Sequence, residues 1–283
     1  MKARKRFIID CRGYKLVLGE KTRIMGVLNV TPDSFSDGGE FFDIKKAVKR
    51  GIEIEGEGAD IIDIGGESTR PYSNCVSALE QIKRVAPVIT ALKKKIKIPI
   101  SIDTSNSRVA EEAVKAGAKI INDITGLGND KDIARVAAKY KTGLCIMHIK
   151  GSPQNMQDKA SYKNLMQEIC AWLNEGVRIA MRAGVSEKRI IIDPGIGFAK
   201  TTRHNLQILN NLYLLNDVGR PILIGPSRKS FIGKILNKPV NERLIGTIAA
   251  SVIAIANGAH IVRVHDIKEI KQAAMLADAI LKI

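Results

Sequence analysis

Short runs rich in Ile and Val alternate along the chain with longer segments whose apolar residues recur at helical spacing, and a polar or glycine-rich turn follows each run. Eight such units succeed one another. The predicted strands are residues 23–29, 61–64, 98–103, 120–123, 143–147, 190–193, 222–225 and 261–264. Between the second and third, Val76, Leu79, Ile82, Val85, Ala86, Ile89 and Leu92 make one apolar stripe, which predicts an amphipathic cover helix. Strands that are apolar almost throughout must be covered on both faces, so the pattern predicts a parallel sheet wrapped by helices. Eight units in about 250 residues fit a single closed (β/α)8 barrel, with a doubly wound open sheet as the rival. Before the first unit, residues 7–10 and 14–18 flank Cys11-Arg12-Gly13 and predict a β-hairpin plugging the N-terminal mouth of the barrel. No linker rich in Pro, Gly or Ser divides the chain, so residues 1–283 read as one domain, with 1–22 its hairpin and tail.

Composition narrows the class. The 283 residues are 45% hydrophobic and 26% charged, which rules out global disorder, and no apolar run approaches the ~18–20 residues of a membrane span. Asp10 and Arg12 interrupt the first apolar stretch too early for a signal peptide, so a cytoplasmic protein is expected. Cys11, Cys75, Cys145 and Cys170 stand far apart without a CxxC pair, and signal neither a disulfide framework nor a cysteine zinc site. Lys and Arg number 45 against 29 Asp and Glu, a net charge of +16 that suits nucleic acid, phosphate ligands or simply a lysine-rich surface. The lysines are scattered over helical segments and only 4% of residues are aromatic, which disfavours a nucleic-acid binder.

Chemistry collects at the C-terminal ends of the strands: Asn29, Asp63, Asp103, Asn122, His148, Asp193, Lys229, Arg263 and His265. In a barrel these ends converge on one mouth. Taken alone, a carboxylate such as Asp103 or Asp193 reads as a cap on the helix that follows it, but so many coincident caps favour one ligand pocket. Asp103, Asp193, Asn29 and Asn122 offer acceptors and donors suited to a flat heterocycle with amino and carbonyl edges. Ser227-Arg228-Lys229 follows the seventh strand and Arg263-Val264-His265 ends the eighth, where barrels hold phosphate, and Arg70 adds a cation from the second loop. The long loops, residues 31–42, 65–74 and 148–161, lie over the same face. A dinucleotide fingerprint fails because Lys200 stands where the third glycine belongs, and Gly225-Pro-Ser-Arg-Lys229 lacks the second glycine of a Walker loop. His148, His204, His260 and His265 have no metal-ligand spacing, and Cys145-x-x-His148 is an isolated pair.

The segments Met25-Gly-Val-Leu-Asn-Val-Thr-Pro-Asp-Ser-Phe-Ser-Asp-Gly-Gly39 and Asp63-Ile-Gly-Gly-Glu-Ser-Thr-Arg-Pro71 resemble the two signatures of the dihydropteroate synthase family. Ser101-Ile-Asp-Thr104, Asn122-Asp-Ile124, Met147-His148, Asp193-Pro-Gly-Ile-Gly-Phe198, Ser227-Arg-Lys229 and Arg263-Val-His265 extend the resemblance from Ile24 to His265. It implies a TIM barrel that condenses 6-hydroxymethyl-7,8-dihydropterin diphosphate with 4-aminobenzoate in folate biosynthesis, with Mg2+, in a cytoplasmic homodimer. By the same resemblance Asp103, Asn122, Asp193 and Lys229 would bind the pterin edge, Arg263 would pack over its ring and Met147 would line the pocket. Asn29, His265 and Arg70 would hold pyrophosphate and its magnesium, with Asn29 as metal ligand. Phe198, Pro71 and Ser230 would shape the aminobenzoate slot, where a sulfonamide would compete, and Thr69 joins the substrate-binding set. Asp103, Lys229, Arg263 and His265 would form the catalytic group. Tyr72-Ser73 departs from the Gly-Ala that many relatives carry. Residues 31–42 and 68–74, poor in apolar side chains, are expected to move and to close over bound pyrophosphate. Lys229 and Arg263, placed at strand ends, are expected to be replaceable without loss of the fold. The nearest rival is a pterin-binding methyltransferase domain, disfavoured by the Ser-Phe-Ser-Asp-Gly-Gly loop and the Ser-Arg-Lys segment.

Overall fold

The computed structural model describes residues 4–31, 40–67, 76–152 and 155–282, with the backbone alone for 40–43. Strands β1 (Phe7–Cys11) and β2 (Tyr14–Leu18) pair antiparallel around Arg12 and Gly13, whose φ angles of 51° and 81° are those of a type I′ turn. The barrel strands are β3 (Arg23–Asn29), β4 (Ile61–Gly65), β5 (Ile100–Asp103), β6 (Ile120–Asp123), β7 (Gly143–Met147), β8 (Ile190–Asp193), β9 (Leu223–Ile224) and β10 (Ile261–Val264). Helices alternate with them: α1 (Glu40–Gly56), α2 (Ala78–Leu92), α3 (Ser107–Ala116), α4 (Asp132–Tyr140), α5 (Leu165–Arg182), α6 (Thr202–Asn210), the pair α7 (Ser230–Leu236) and α8 (Leu244–Ala256) after β9, and α9 (Ile267–Ile280). Parallel pairing runs β8-β7-β6-β5-β4-β3-β10-β9, and the bridge Ile192–Ile222 joins the two ends into a closed ring.

Side chains alternate in and out along each strand, and the residue types follow that alternation. Outward residues such as Ile24, Ile62, Ile102, Ile146 and Val262 pack into the layer of helices. At the base, the inward residues Met25, Ile61, Ile120, Cys145, Ile191, Leu223 and Ile261 pack instead against Ile9, Cys11, Leu16 and Leu18 of the hairpin. The predicted plug is thus the apolar floor of the barrel. Two residues further along the same strands the inward position becomes Asp63, Asn122, Met147, Asp193, Gly225 and Arg263, so the interior turns polar within one step. Leu16→Ala is expected to cost about 2–5 kcal/mol of unfolding free energy, because its side chain is fully enclosed between hairpin and floor. Urea unfolding measures this, and a loss under ~1 kcal/mol would mean that the hairpin lies outside the cooperative unit.

Some details differ from the sequence expectation, and β1 and β4 each run one residue further, to Cys11 and Gly65. β5 begins at Ile100 rather than 98, because Pro99 has no N–H to give and the Ile98 amide donates to Glu55 Oε1 at 3.1 Å. β9 shortens to Leu223–Ile224, because the Ile222 amide donates to His260 Nδ1 at 3.1 Å instead of to the ladder. On α2 the buried face is Gln81, Val85, Val88, Ile89 and Leu92, while Leu79 is exposed. The stripe is therefore turned by about one residue towards Val88. The N-terminal tail is tied down beside the hairpin: Arg4 donates to Thr22 Oγ1 at 2.6 Å and to the Ala259 carbonyl at 2.9 Å, and it pairs with Asp278 of α9.

Candidate active site at the barrel mouth

The polar level above the floor is organised by one guanidinium. Arg263 reaches inward from β10 and donates through Nε to Asp63 Oδ2 and through Nη2 to Asp103 Oδ2, each at 2.6 Å. Asn122 Nδ2 donates to the same Asp63 oxygen at 3.1 Å. Asp63 therefore fixes both an arginine and an amide, a role its place in the sequence did not assign. The signal was available in the alternation, since Asp63 faces inward in phase with Ile61 and Gly65. Asp63 Oδ1, Asp103 Oδ1 and Ser101 Oγ are buried without a protein partner. Orphaned acceptors at the bottom of a polar pocket are what a ligand with N–H groups would satisfy.

Burial raises Asp103 to about 7, with Arg263 opposing and Asp63, sharing the same guanidinium, adding to the rise. Asp193, at the end of β8, is raised by burial to about 6 although Oδ1 accepts the Gly195 amide at 2.7 Å and Lys229 and Lys200 pull the other way. Lys229 is lowered to about 8 by burial and by the positive charge of Arg263. Its Nζ lies 4.2 Å from the centre of the Phe198 ring, a cation–π contact. Phe198 belongs with Met147, Ile124, Ile149, Met156 and Ala199 to a small apolar cluster, so Met147 and Phe198 share one wall. Asn29 is exposed at the tip of β3, and its Oδ1 and Asp103 Oδ2 both lie close above Gly65, 3.6 and 3.9 Å from where a Cβ would stand. Ser230 is exposed at the first turn of α7.

His265, two residues beyond Arg263, adds no second positive charge to the mouth. Burial and the positive charges of Arg263, Arg228 and Lys229 lower it to about 4, and its Nδ1 lies 2.9 Å from Ser227 Oγ. At neutral pH it meets an anion as an uncharged imidazole. Arg228, at a left-handed φ of 56°, turns away and pairs with Asp266. His148 ends β7 but does not face the pocket: it is buried, edge-on to Trp172 with ring centroids 5.2 Å apart. Thr69, Arg70, Pro71 and Tyr72 lie outside the described residues, as do most of the two loops expected to close. Of the site residues predicted from the sequence, Asp103, Asn122, Asp193, Lys229 and Arg263 meet in one pocket, Met147 and Phe198 line it, and Asn29, Ser230 and His265 stand at its rim.

A closed barrel with an apolar floor and a ring of buried acceptors and cations at the strand ends defines a small-molecule enzyme of the pterin-binding class: the family described as pterin binding enzyme matches residues 25–265. The chain is 53% identical to dihydropteroate synthase from Clostridium beijerinckii over 94% of this chain and 96% of that protein. Among solved structures it is similar to dihydropteroate synthase from Clostridium difficile in the presence of pteroic acid, with a TM-score of 0.89 and 46% identity over 94% of this chain and 99% of that one. It is also similar to Xanthomonas albilineans dihydropteroate synthase with 4-aminobenzoic acid, with a TM-score of 0.91 and 37% identity over 99% and 100% of the two chains. The chain belongs to the dihydropteroate synthases, a family of transferases.

Proposed function

We propose that this chain, as one pterin-binding domain spanning residues 1–283, joins 6-hydroxymethyl-7,8-dihydropterin diphosphate to 4-aminobenzoate at the barrel mouth. The observation that carries the reading is the buried set of Asp103, Asn122 and Asp193 around Arg263 and Lys229, with Asp103 Oδ1 still without a partner. Asp103, Asn122 and Asp193 accept from and donate to the pterin edge, and Lys229 adds a cationic donor beside them. The C–O bond to diphosphate breaks as the ring nitrogens spread the positive charge left on the exocyclic carbon. The carboxylate of Asp103 stabilises that charge. The neutral amine of 4-aminobenzoate then forms the C–N bond and releases its proton to solvent or diphosphate. Phe198 and Ser230 line the acceptor side, with Pro71 assigned there and Arg70 to the diphosphate by resemblance, and Thr69 among the substrate-binding residues. His265 offers the diphosphate a neutral hydrogen-bond donor.

The donor set fits Mg2+ held mainly by substrate oxygens, since Asn29 offers one exposed neutral oxygen at the rim close to Asp103. When bound there, the ion supplies charge neutralisation to the leaving diphosphate. A homodimer accords with the exposed apolar side chains on the packed pair α8 and α9: Ile245, Ile253, Met275, Leu276 and Ile280. No helix among the described residues is long and apolar enough to cross a membrane, and a cytoplasmic location remains part of the proposal.

Incubation with dihydropterin diphosphate, 4-aminobenzoate and Mg2+ is expected to yield dihydropteroate. Pterin bound without turnover would favour the methyltransferase reading. The rate should also report the buried carboxylates: Asp103, raised to about 7, and Asp193, raised to about 6, present acceptors on both oxygens only when ionised. As pH falls through 7 and then 6 each takes up a proton, so kcat/KM for the pterin should drop with a slope that steepens from about tenfold per unit between the two values towards about a hundredfold per unit below both. A profile flat to pH 5 would show that Arg263 keeps Asp103 ionised.

A further inference from the structure

The segment of residues 194–201, between β8 and α6, carries Phe198 to the mouth on an irregular backbone in which Gly195, Gly197 and Ala199 have φ of 70°, 84° and 51°. Buried carbonyls in such a backbone need partners that neither helix nor ladder supplies. Three in succession find them in side chains: Gln157 Nε2 donates to Gly197 O at 3.0 Å, Lys200 Nζ to Phe198 O at 2.8 Å, and Tyr162 Oη to Ala199 O at 3.0 Å. Lys200 differs from the other two. It is buried, and its Nζ also lies 3.0 Å from His148 Nδ1. His148 is wedged against Trp172 and Tyr162, and burial holds it near 2, so the imidazole is neutral and its Nδ1 lone pair accepts from the lysine amino group. Beyond Phe198 the chain of contacts continues to Lys229, whose Nζ sits on the Phe198 ring and whose Cδ lies 3.0 Å from where a Cβ on Gly197 would be. A cavity of about 510 Å³ adjoins Lys200 and is lined also by Gln157, Asn205, Ser230 and Phe231. The clamp therefore stands on the Ser230 side of the mouth rather than the Asn122 side.

The geometry points to Lys200 as a positioning residue for the acceptor half of the reaction: by clamping the Phe198 carbonyl to His148 it holds the Phe198 ring against Lys229 and so sets the shape of the aminobenzoate slot. The assignment rests on the reading of Phe198 and Ser230 as the acceptor side. The effect on pterin binding should be the smaller one, because Asp63 and Asp103 are held by Arg263 and Asn122 by Asp63, bonds that do not involve Lys200.

The test compares Lys200→Met and Lys200→Gln with the unaltered protein, using both substrates with Mg2+ for steady-state rates and calorimetry for dihydropterin diphosphate alone. Lys200→Met is expected to raise KM for 4-aminobenzoate about tenfold, the effect of one lost hydrogen bond that leaves a buried carbonyl unpaired, with pterin affinity within about twofold. Lys200→Gln keeps an N–H donor for the Phe198 carbonyl and should recover much of the loss. Phe198→Leu added to Lys200→Met should raise the aminobenzoate KM by much less than Phe198→Leu alone, because the two act through one contact. Equal changes for both substrates, no change for either, or failure of both Lys200 variants to fold would overturn the assignment in favour of a purely structural lysine. An unaltered protein that makes no dihydropteroate would instead overturn the function proposed above. Turnover with an unshifted aminobenzoate KM in both variants would overturn only the role of Lys200.

Discussion

Arg263→Ala is expected to lower the free energy of unfolding by about 3–5 kcal/mol, the loss seen when one partner of a buried ion pair is removed. The guanidinium is the shared partner of Asp63, which has no exposed surface, and of Asp103, whose side chain is 7% exposed. Alanine would leave two carboxylates facing each other in a buried space. Asp103, already raised to about 7 by burial, can take up a proton when the arginine goes, which limits the cost on its side. Asn122 would also lose order, because its Nδ2 bonds the same Asp63 oxygen. Urea unfolding at pH 8, where protonation helps least, gives the largest difference. The sequence expectation that this strand-end residue could be removed with the fold intact is therefore revised: Arg263 ends a strand, yet its side chain is the centre of the polar layer. A loss under about 1 kcal/mol would mean that the carboxylates recruit water at little cost.

Lys229→Gln should behave in the opposite way. Its kcat/KM with dihydropterin diphosphate is expected to fall about 10–100-fold, the range for losing a charged donor, while the fold is no less stable than before. Lys229 belongs to no ion pair among those within the described residues, and burial together with Arg263 lowers it to about 8. Between pH 8 and its ordinary value of 10.5 the unfolded chain binds more protons than the folded one, so this lysine makes stability rise with pH across that window. Glutamine removes that rise. Unfolding midpoints at pH 8 and pH 10 for the two proteins read the difference, and parallel pH curves would show that Lys229 titrates normally in the fold. Unchanged turnover would remove it from the catalytic group.

The near-continuous apolar runs and the period-3.6 segments were enough to read the barrel, the order of its units and the hairpin, because each barrel strand is buried on both sides and each helix on one. The polar strand ends were equally legible, since their coincidence at the same step of successive units has no local explanation. Partnership was harder to see. That Asp63 would hold Arg263 depends on the register that sets β4 and β10 on either side of β3, and nothing near Asp63 in the chain announces it. Lys200 was noticed only as the residue that spoils a glycine fingerprint, yet its two hydrogen bonds decide where Phe198 sits. The short β9 and late β5 share a cause: a carboxylate and an imidazole distant in sequence capture amides that local pattern assigns to the ladder. The neutrality of His265 was not legible either, because burial and the charges of Arg263, Arg228 and Lys229 set it.

The pairing of β3 with β10 also bears on how the chain is made. The first barrel strand to leave a ribosome has β4 available on one side early, but its other neighbour is the last strand of all. The nascent chain can build an open, growing sheet while the β10 edge of β3 stays unpaired. Ring closure, and with it the meeting of Arg263 with Asp63 and Asp103, must wait for the end of translation. Arg4 waits longer still, since its partner Asp278 lies in the final helix. Catalytic competence is thus a late, all-or-none event in the life of the polypeptide, and a chain stalled before residue 261 would carry most of the barrel without its central cation.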